Sequence, residues 1–522
     1  MKQERSVSKG PEKRRHPDAL NGLQRWQQLS ALRQGMMTRF EQYASVTIPK
    51  VCLPDGVNQN SSSIQHDWSS VGAQAVNHLT SKLAMALFQP GLPFFRLDPD
   101  KNLKQQIAEN GIPEDAIRSV LVSGEQDALR VMDQLAVRPK LHEAIRSLIV
   151  VGNSLLDLSD KDSPRVVGIR HYVVKRSISG KPQEILHRER VLYNELEDKV
   201  QAKVPMHGHG EQAYVEYIRW FQRVGKQWKL SVSVNGIDLG EEFGHAWNLD
   251  RFPIYPLTWD LADEHDYGTG LVEDYAGDFG TLSTLSESEI KAAILISDFR
   301  WLANPAGIGD IEEFKRSQTG DVIPGVSNDL SLIAHVNSNA LQQLSFSIER
   351  VINRIGRAFL LGSAITRDAE RVTAEEIRMQ ANELETSLGG VYSRLAVDMQ
   401  LPLAVWLMAQ IDVTIQGSQF VPSIVTGLAA LSRNAEAQQL TLFMSSLANM
   451  GVLPPMILDR IKLTAVISTM ASAYGINPSE YVYSEEEVAA AQEAQQAQQQ
   501  EMNAQDEVVK ASAQSIAKGP QQ

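Results

Sequence analysis

A single cysteine, Cys52, in 522 residues removes disulfides from any account of this chain. One thiol has no intramolecular partner, and such usage fits a reducing compartment. Cys52 reads as a small buried hydrophobe, not a nucleophile. Long apolar runs are also missing. The longest, around Leu401 to Met408, is interrupted by Pro402 and falls far short of the ~20 residues needed to span a bilayer. The N-terminus is rich in Lys and Arg, but no apolar stretch follows it, so it is not a secretory signal. A soluble chain with no membrane partner is expected. Positive charge is in deficit: 50 Lys and Arg stand against 63 Asp and Glu, a net −13. That argues against gripping nucleic acid through a large basic face, while permitting a chain past which nucleic acid slides.

Catalytic signatures are equally scarce. No G-x-x-x-x-G-K-[ST] phosphate loop occurs; Gly180-Lys181 and Gly225-Lys226 lack the upstream glycine and the following hydroxyl. An ATP-driven motor is thereby excluded. His142-Glu143 begins H-E-x-x-H, but Arg146 stands at the fifth position, and no G-x-S-x-G elbow is present. His207-Gly208-His209 with Glu211 reads as a glycine-rich loop, since a structural zinc site needs four ordered ligands. No cofactor and no enzymatic activity are expected.

What is present is length and ordinary globular composition, with 43% hydrophobic and 22% charged residues. The length suggests about three or four domains. Asp18 can cap a helix running to Ile48-Pro49, and helices are expected over Trp68 to Phe88, Glu114 to Leu135 and Pro139 to Val151. Between Arg165 and Phe252 the pattern turns to short β-rich runs, one of them closed by an Asn235-Gly236 turn. Helix returns at Asp274 to Leu295, followed by a compact stretch from Trp301 to Asn337. The expected class is α+β, predominantly helical.

Two later helices are the most legible. Ala340 to Leu361 places Leu344, Ile348, Val351, Ile355 and Phe359 on one face and Arg350, Arg354 and Arg357 on the other. Thr373 with Glu376 forms a capping box. It opens a helix to Leu401, roughly 42 Å long at 1.5 Å per residue, with Pro402 marking its end. Gly389-Gly390 at its middle permits a kink. The connector between these helices, Gly362 to Val372, carries Arg367, Asp368, Glu370 and Arg371.

A helix, a charged loop and a "VTAEEI" cap opening a kinked helix resemble the core of the phage portal protein, the head-to-tail connector, most closely that of short-tailed phages (podoviruses). Other segments agree in order: Tyr43 to Pro49, the Trp68 to Phe88 helix, Val150-Val151-Gly152-Asn153-Ser154-Leu155-Leu156, Tyr267-Gly268-Thr269-Gly270, Asn304 to Gly307, Gln318 to Asp321, and Glu383 to Tyr392. The resemblance covers roughly residues 20 to 435.

That resemblance implies a portal fold of wing, stem, clip and crown assembling as a ring. Residues 1–17 would be a disordered basic N-terminus and 18–270 the wing. Stem helices would occupy 271–297 and 339–361, flanking a clip at 298–338. The tunnel loop and kinked wing helix would take 362–401, a helical crown 402–483, and a Gln/Ala-rich tail or barrel helix 484–522. The family implies a dodecamer at one capsid vertex, between head and tail, assembled in the host cytoplasm. Its implied partners are the major capsid and scaffolding proteins, the terminase large subunit, tail adaptors, and double-stranded DNA passing non-specifically. Arg350, Arg354, Arg357, Arg367, Asp368, Glu370 and Arg371 would face the channel. Twelve copies of a chain at −13 make a strongly negative assembly. Isolated basic rings in it would centre a duplex without the many phosphate contacts that bind tightly.

An alternative of another class is a metal-dependent DNA-processing hydrolase. It would use Asp260, Asp263, Glu264, His265 and Asp266 as oxygen-rich ligands for a hard cation. Their spacing is irregular, and a solvated acidic turn is the simpler reading.

Overall fold

A computed structural model of the chain describes residues 21–57, 66–89, 93–99, 114–204, 213–297, 300–303, 330–333, 338–361, 387–411, 420–424 and 440–443, with isolated positions between them. The N-terminus, most of the expected clip and crown, Arg367, Asp368, Glu370, Arg371, the Thr373 and Glu376 cap, His207 to His209 and the 484–522 tail lie outside the described residues.

The helix expected from Asp18 is instead two, α1 (Gly22–Leu32) and α2 (Gln34–Ser45). Asn21 is the cap: its side chain accepts from Gln24 N at 2.8 Å while the Gln24 side chain accepts from Asn21 N at 3.2 Å. This reciprocal pair satisfies two donors at the helix start. The break falls at Arg33 (φ −96, ψ 2), whose buried guanidinium donates to the carbonyls of Ile169 at 2.5 Å and Tyr172 at 2.7 Å. The chain continues through α3 (Val71–Leu87), β1 (Phe95–Pro99), α4 (Glu114–Gln134), α5 (Val137–Val151), β2 (Asn153–Asp157) and β3 (Arg165–Val167). Next come β4 (Tyr172–Arg176), β5 (Pro182–Leu192), β6 (Tyr214–Val224), β7 (Gln227–Val234), β8 (Ile237–Asp238), β9 (His245–Asn248) and β10 (Ile254–Thr258). The last elements are α6 (Ala276–Ser297), β11 (Arg300–Ala303), β12 (Leu330–Ile333), α7 (Ser338–Ala358), α8 (Gly390–Leu395), α9 (Leu401–Gln410) and β13 (Phe420–Ile424). By compactness the chain forms two units, 1–86 with 135–402, and 87–134 with 403–522.

The first unit is organised by an antiparallel sheet of order β4-β5-β6-β7-β8, with β9 also paired to β7. The expected turn at Asn235-Gly236 (φ +47 and +80) joins β7 to β8. Helix α1 lays Trp26 and Leu29 against Val173, Leu186 and Ile218 of this sheet. The alternate strand positions Val215, Val232 and Val234 pack with Tyr193, Leu196 and Val200, as period-two side-chain alternation requires. A second antiparallel sheet, β10-β2-β3, is joined to the first through buried charge. Asp157 on β2 pairs with Arg219 on β6, and with Arg165 on β3 at 3.1 Å. Arg219 also donates to Nδ1 of buried His187 on β5, at 2.7 Å.

In the second unit β1 pairs antiparallel with β13. Glu125 of α4 is buried and accepts from Leu97 N of β1 at 2.9 Å. Phe88, Phe94 and Phe95 form an edge-to-face series with centroids 5.2 and 5.0 Å apart, the arrangement aromatic quadrupoles favour.

Pro402 does not end its helix. A π-helical turn at Ala396–Gln400 precedes α9, in whose first turn Pro402 sits. Proline is tolerated there, where a missing N–H costs least. Among the described residues no helix is long and apolar enough to cross a membrane.

The inter-sheet network predicts acid sensitivity. Burial, reinforced by Arg219, holds His187 neutral with a pKa lowered to about 3. Burial pushes the Asp157 carboxyl up, but Arg219 and the Ser159 donors outweigh it and hold it down, at about 2. Both folded-state values lie below their unfolded ones. The unfolded chain therefore binds protons first, and stability present near neutral pH is lost as pH falls. His187 acts from about pH 6.5 downward, and Asp157 adds its loss below about pH 4. Thermal midpoints should drop between pH 7 and 4.5, and His187→Gln should flatten that slope. Identical slopes for the two proteins would remove His187 from the account.

Candidate functional site

The feature most able to serve a function is the pair α6 and α7. Contacts at Phe279 with Phe359, Asp278 with Arg354, and Glu289 with Ser345 run in opposite chain directions, so the helices are antiparallel. With 22 residues, α6 is roughly 33 Å long. Its base is apolar and aromatic: the Phe279 and Phe359 rings lie 5.5 Å apart, and Tyr275 and Phe359 5.9 Å apart. Ile348, Val351 and Ile355 of α7 are buried beside them.

Of the stripe read from the sequence, Arg350, Arg354 and Arg357 all lie on the exposed side of α7. Arg354 pairs with Asp278 at 2.6 Å, and Arg350 donates to Ser347 Oγ at 3.2 Å. Farther along, polar staples take over, with Ser345 donating to Glu289 at 2.6 Å. Apolar side chains then face outward. Ile294 is 60% exposed and Phe346 54%, with Ile290 and Leu295 also uncovered.

Two anchors hold the base of this pair. The first joins two motifs picked out above, Val150 to Leu156 and Tyr267 to Gly270. Asn153, the buried first residue of β2, donates to the carbonyls of Val151 at 2.8 Å and Gly268 at 2.7 Å, and accepts from Gly268 N at 2.8 Å. The two backbones touch. A Cβ on Gly152 would stand 2.2 Å from the Thr269 carbonyl carbon, one on Gly268 2.5 Å from the Asp260 carbonyl oxygen, and one on Gly270 2.7 Å from that of Ile149. Only glycine permits this crossing. Tyr267 extends the latch, its hydroxyl accepting from Val174 N at 3.1 Å. The second anchor is α3, whose buried Lys82 donates to the Leu360 carbonyl at 3.1 Å, with His78 Nε2 3.0 Å from the same oxygen. A cation at a helix C-terminus opposes the partial negative charge there. The sequence reading missed Asn153 as a latch and Lys82 altogether. Adjacent glycines and a Gly-Asn step were the only visible signal.

The acidic run has structural employment. Asp266 accepts from Lys175 at 2.8 Å and from Arg176 N at 2.7 Å, while Asp260 pairs with Arg394 at 3.5 Å and exchanges backbone hydrogen bonds with Thr269. His265 Nδ1 lies 2.9 Å from the Asp263 carbonyl, and Asp263 and Glu264 are exposed. Among the described residues no group of three or more acidic, histidine or cysteine side chains could hold a metal ion. The run is an exposed turn, and the hydrolase reading loses its cation site. Cys52 is buried, and burial pushes its thiol up to about 11, away from reactivity. Gly389 (φ +46, ψ −114) interrupts the helix and Gly390 begins α8.

A stapled helix pair standing on a latched sheet is thus the main construction among the described residues. The family model for the bacteriophage head to tail connecting protein matches residues 21–482, and the chain belongs to that family. It is 34% identical over 423 residues to the portal protein of Enterobacteria phage SP6, covering 80% of this chain and 81% of that one. It is 31% identical over 480 residues to the portal protein of Pseudomonas phage phiKMV, covering 88% and 92%. To the portal protein of Escherichia phage T7 it is 30% identical over 471 residues, covering 86% of each.

The latch predicts a specific weakness. Asn153→Ala removes three buried hydrogen bonds and leaves the Gly268 amide unsatisfied. It should cost about 2–4 kcal/mol at ~1 per bond plus desolvation, read as a lowered denaturant midpoint. A midpoint equal to wild type would show that the latch is not an anchor.

Proposed function

We propose that this chain is a portal protein, a structural subunit without enzymatic activity that forms a ring at one vertex of a short-tailed phage head. Double-stranded DNA is packaged inward through the ring and later ejected through it, and tail proteins attach to it. The observation that carries this reading is the antiparallel pair α6 and α7, read together with membership in the connector family. In this reading the pair is the stem, the segment between its helices the clip, and the ring a dodecamer. The terminase large subunit docks on it, and the capsid, scaffolding and tail adaptor proteins surround it. It stands at the portal vertex of the virion, after assembly in the host cytoplasm.

Physical support comes from how the pair divides its surface. Its base is buried, its distal end leaves Ile294, Phe346 and Leu295 uncovered, and Arg350, Arg354 and Arg357 continue the exposed face of α7 from Phe346 toward the base. Apolar side chains at such exposure fit burial against a neighbouring copy at the distal end, and in this reading the arginines nearer the base face the channel. The loop 362–372 continues that side in this reading, with Arg367, Asp368, Glu370 and Arg371 facing passing DNA. Gly389 and Gly390 serve as the kink of the wing helix, because a left-handed φ at Gly389 suits no β-carbon.

Electron microscopy of the purified full chain tests the ring directly. Rings of a dozen subunits are expected, and monomers or dimers under all assembly conditions would end the proposal. Ile294→Ser with Phe346→Ser should leave the subunit's thermal midpoint within about 1 kcal/mol equivalent, since both side chains are exposed, while sharply lowering ring yield. Undiminished rings in that variant would move the subunit contact elsewhere.

Arg350→Glu and Arg357→Glu should spare folding and ring formation but change the amount of DNA packaged per head. Surface charges of this kind contribute about 0–1 kcal/mol to stability. Heads with wild-type DNA content in both variants would take these arginines off the channel.

A further inference from the structure

One end of the six-stranded sheet is built differently from the rest of it. The turns β4–β5 and β6–β7 both project there, because Arg176 aligns with Pro182, Glu184 with Gln222, and Val224 with Gln227. The two hairpins are neighbours through the β5–β6 pairing, so the turn midpoints stand about 10 Å apart, two strand spacings. Each tip is rigid. Ser177 N donates to the Lys181 carbonyl at 2.9 Å, Gly180 N donates to the Ser177 carbonyl at 2.9 Å, and Arg176 braces the Gly180 carbonyl at 2.9 Å. The second tip closes in two residues, Gly225 and Lys226.

Each tip presents a bare aliphatic side chain, Ile178 at 78% exposure and Val224 at 51%. Lys181 and Lys226 lie in the two turns, Lys229 shares the sheet face of Val224, and Arg223 lies on the opposite face. Several other cations of this sheet have carboxylate partners: Arg188 with Glu216, Arg219 with Asp157, Lys175 with Asp266, and Arg25 of α1 with Glu184 of β5, while exposed Arg190 of β5 has no ion pair among the described residues. Lys181, Arg223, Lys226 and Lys229 also have none among the described residues. Asp263 and Glu264, in the turn whose Leu261 touches Gly180, bound the patch on the β4 side. A chain of net −13 thus keeps a small cationic surface with two protruding aliphatic groups.

We propose that this sheet end is a docking surface for an acidic protein segment that carries aliphatic side chains of its own. Complementary charge would bring the segment in and set its register, and Ile178 and Val224 would supply the apolar contact that excludes water. The observations favour a protein over nucleic acid. A duplex gains nothing from two aliphatic tips, single strands are held by aromatic stacking, and neither tip carries an aromatic ring. Ring closure is not required for this contact, so it stands or falls separately from the channel.

The test uses the full chain and fluorescence anisotropy at moderate salt. The probes are a labelled synthetic peptide of about twenty residues alternating glutamate with leucine and valine, a polyglutamate peptide of equal charge, and a short DNA duplex. The mixed peptide should bind best. Its affinity should fall about tenfold or more in Lys181→Glu/Lys226→Glu/Lys229→Glu and in Ile178→Ser/Val224→Ser, roughly 1.4 kcal/mol per tenfold. Polyglutamate should respond only to the charge variant. Circular dichroism and thermal midpoints would check that both variants, altered only at exposed tips, remain folded. Equal binding of the mixed peptide to wild type and either variant would overturn the proposal. So would duplex DNA competing for the same residues at equal or higher affinity, which would make the patch a nucleic-acid contact.

Discussion

Everything in the larger unit hangs on one backbone crossing. Gly152, at the end of α5, and Gly268 and Gly270, before α6, approach so closely that no β-carbon fits between the strands of chain. Steric exclusion alone would make this a weak point, since three glycines forfeit conformational entropy on ordering. Asn153 offsets that cost by satisfying backbone groups on both sides, with two donations and one acceptance in a buried setting. Because α6 begins six residues after Gly270, its starting position is inherited from this crossing. A helix of that length turns a small rotation at its base into a large displacement at its tip. The precision of the latch is therefore the precision of the whole helix pair.

The crossing in turn needs a sheet that does not shift beneath it, and buried charge supplies that rigidity. Asp157 sits four residues after Asn153 on β2, and its bonds to Arg219 and Arg165 tie β2 both to the larger sheet and to its own neighbour β3. Such a network is a poor source of net stability, because desolvation of the ions consumes most of the Coulombic gain. It is a good source of specificity, since a sheet shifted by one register would leave an unpaired buried carboxylate. Arg33 plays a related part. It leaves the helical path between α1 and α2 and spends its donors on backbone carbonyls of the segment leading into β4. Fixed geometry, not maximal stability, is the common property of these contacts.

Much of this was legible in the sequence, but as fragments. The amphipathic period of α7 placed Ile348, Val351, Ile355 and Phe359 inward and its arginines outward, because helical periodicity is local. The V-x-G-N-x-L-L and Y-G-T-G segments stood out as well. That they meet did not, since 115 residues separate Asn153 from Gly268 and nothing local encodes so distant a pairing. The first helix was misread at its start and in its middle for a physical reason. Asp18 and Asn21 are both competent caps, and the choice went to the one whose third neighbour, Gln24, can reciprocate. The interruption at Arg33 has no local signal, because the acceptors that draw it out come from residues 169 and 172. Pro402 failed as a stop signal because the π-helical turn before it restarts the hydrogen-bond register, converting a terminator into a first-turn residue.

The distribution of polarity along the helix pair extends the same logic to the surface. Near the base, specific contacts dominate: aromatic rings, an ion pair at Asp278 and Arg354, and a cationic clasp from Lys82 on the Leu360 carbonyl. Toward the far end these give way to Ile290, Ile294, Leu295 and Phe346, which the single chain leaves in water. A lone subunit gains nothing from arranging its surface this way, since each exposed aliphatic group forfeits hydrophobic free energy that burial would return. The proposed ring would gain a great deal, because apolar contact is non-directional and tolerates the small rotations that closing a ring demands. Directional bonds at the base fix where the helix pair points, and in the proposed ring forgiving contact at its tip would let neighbouring copies meet.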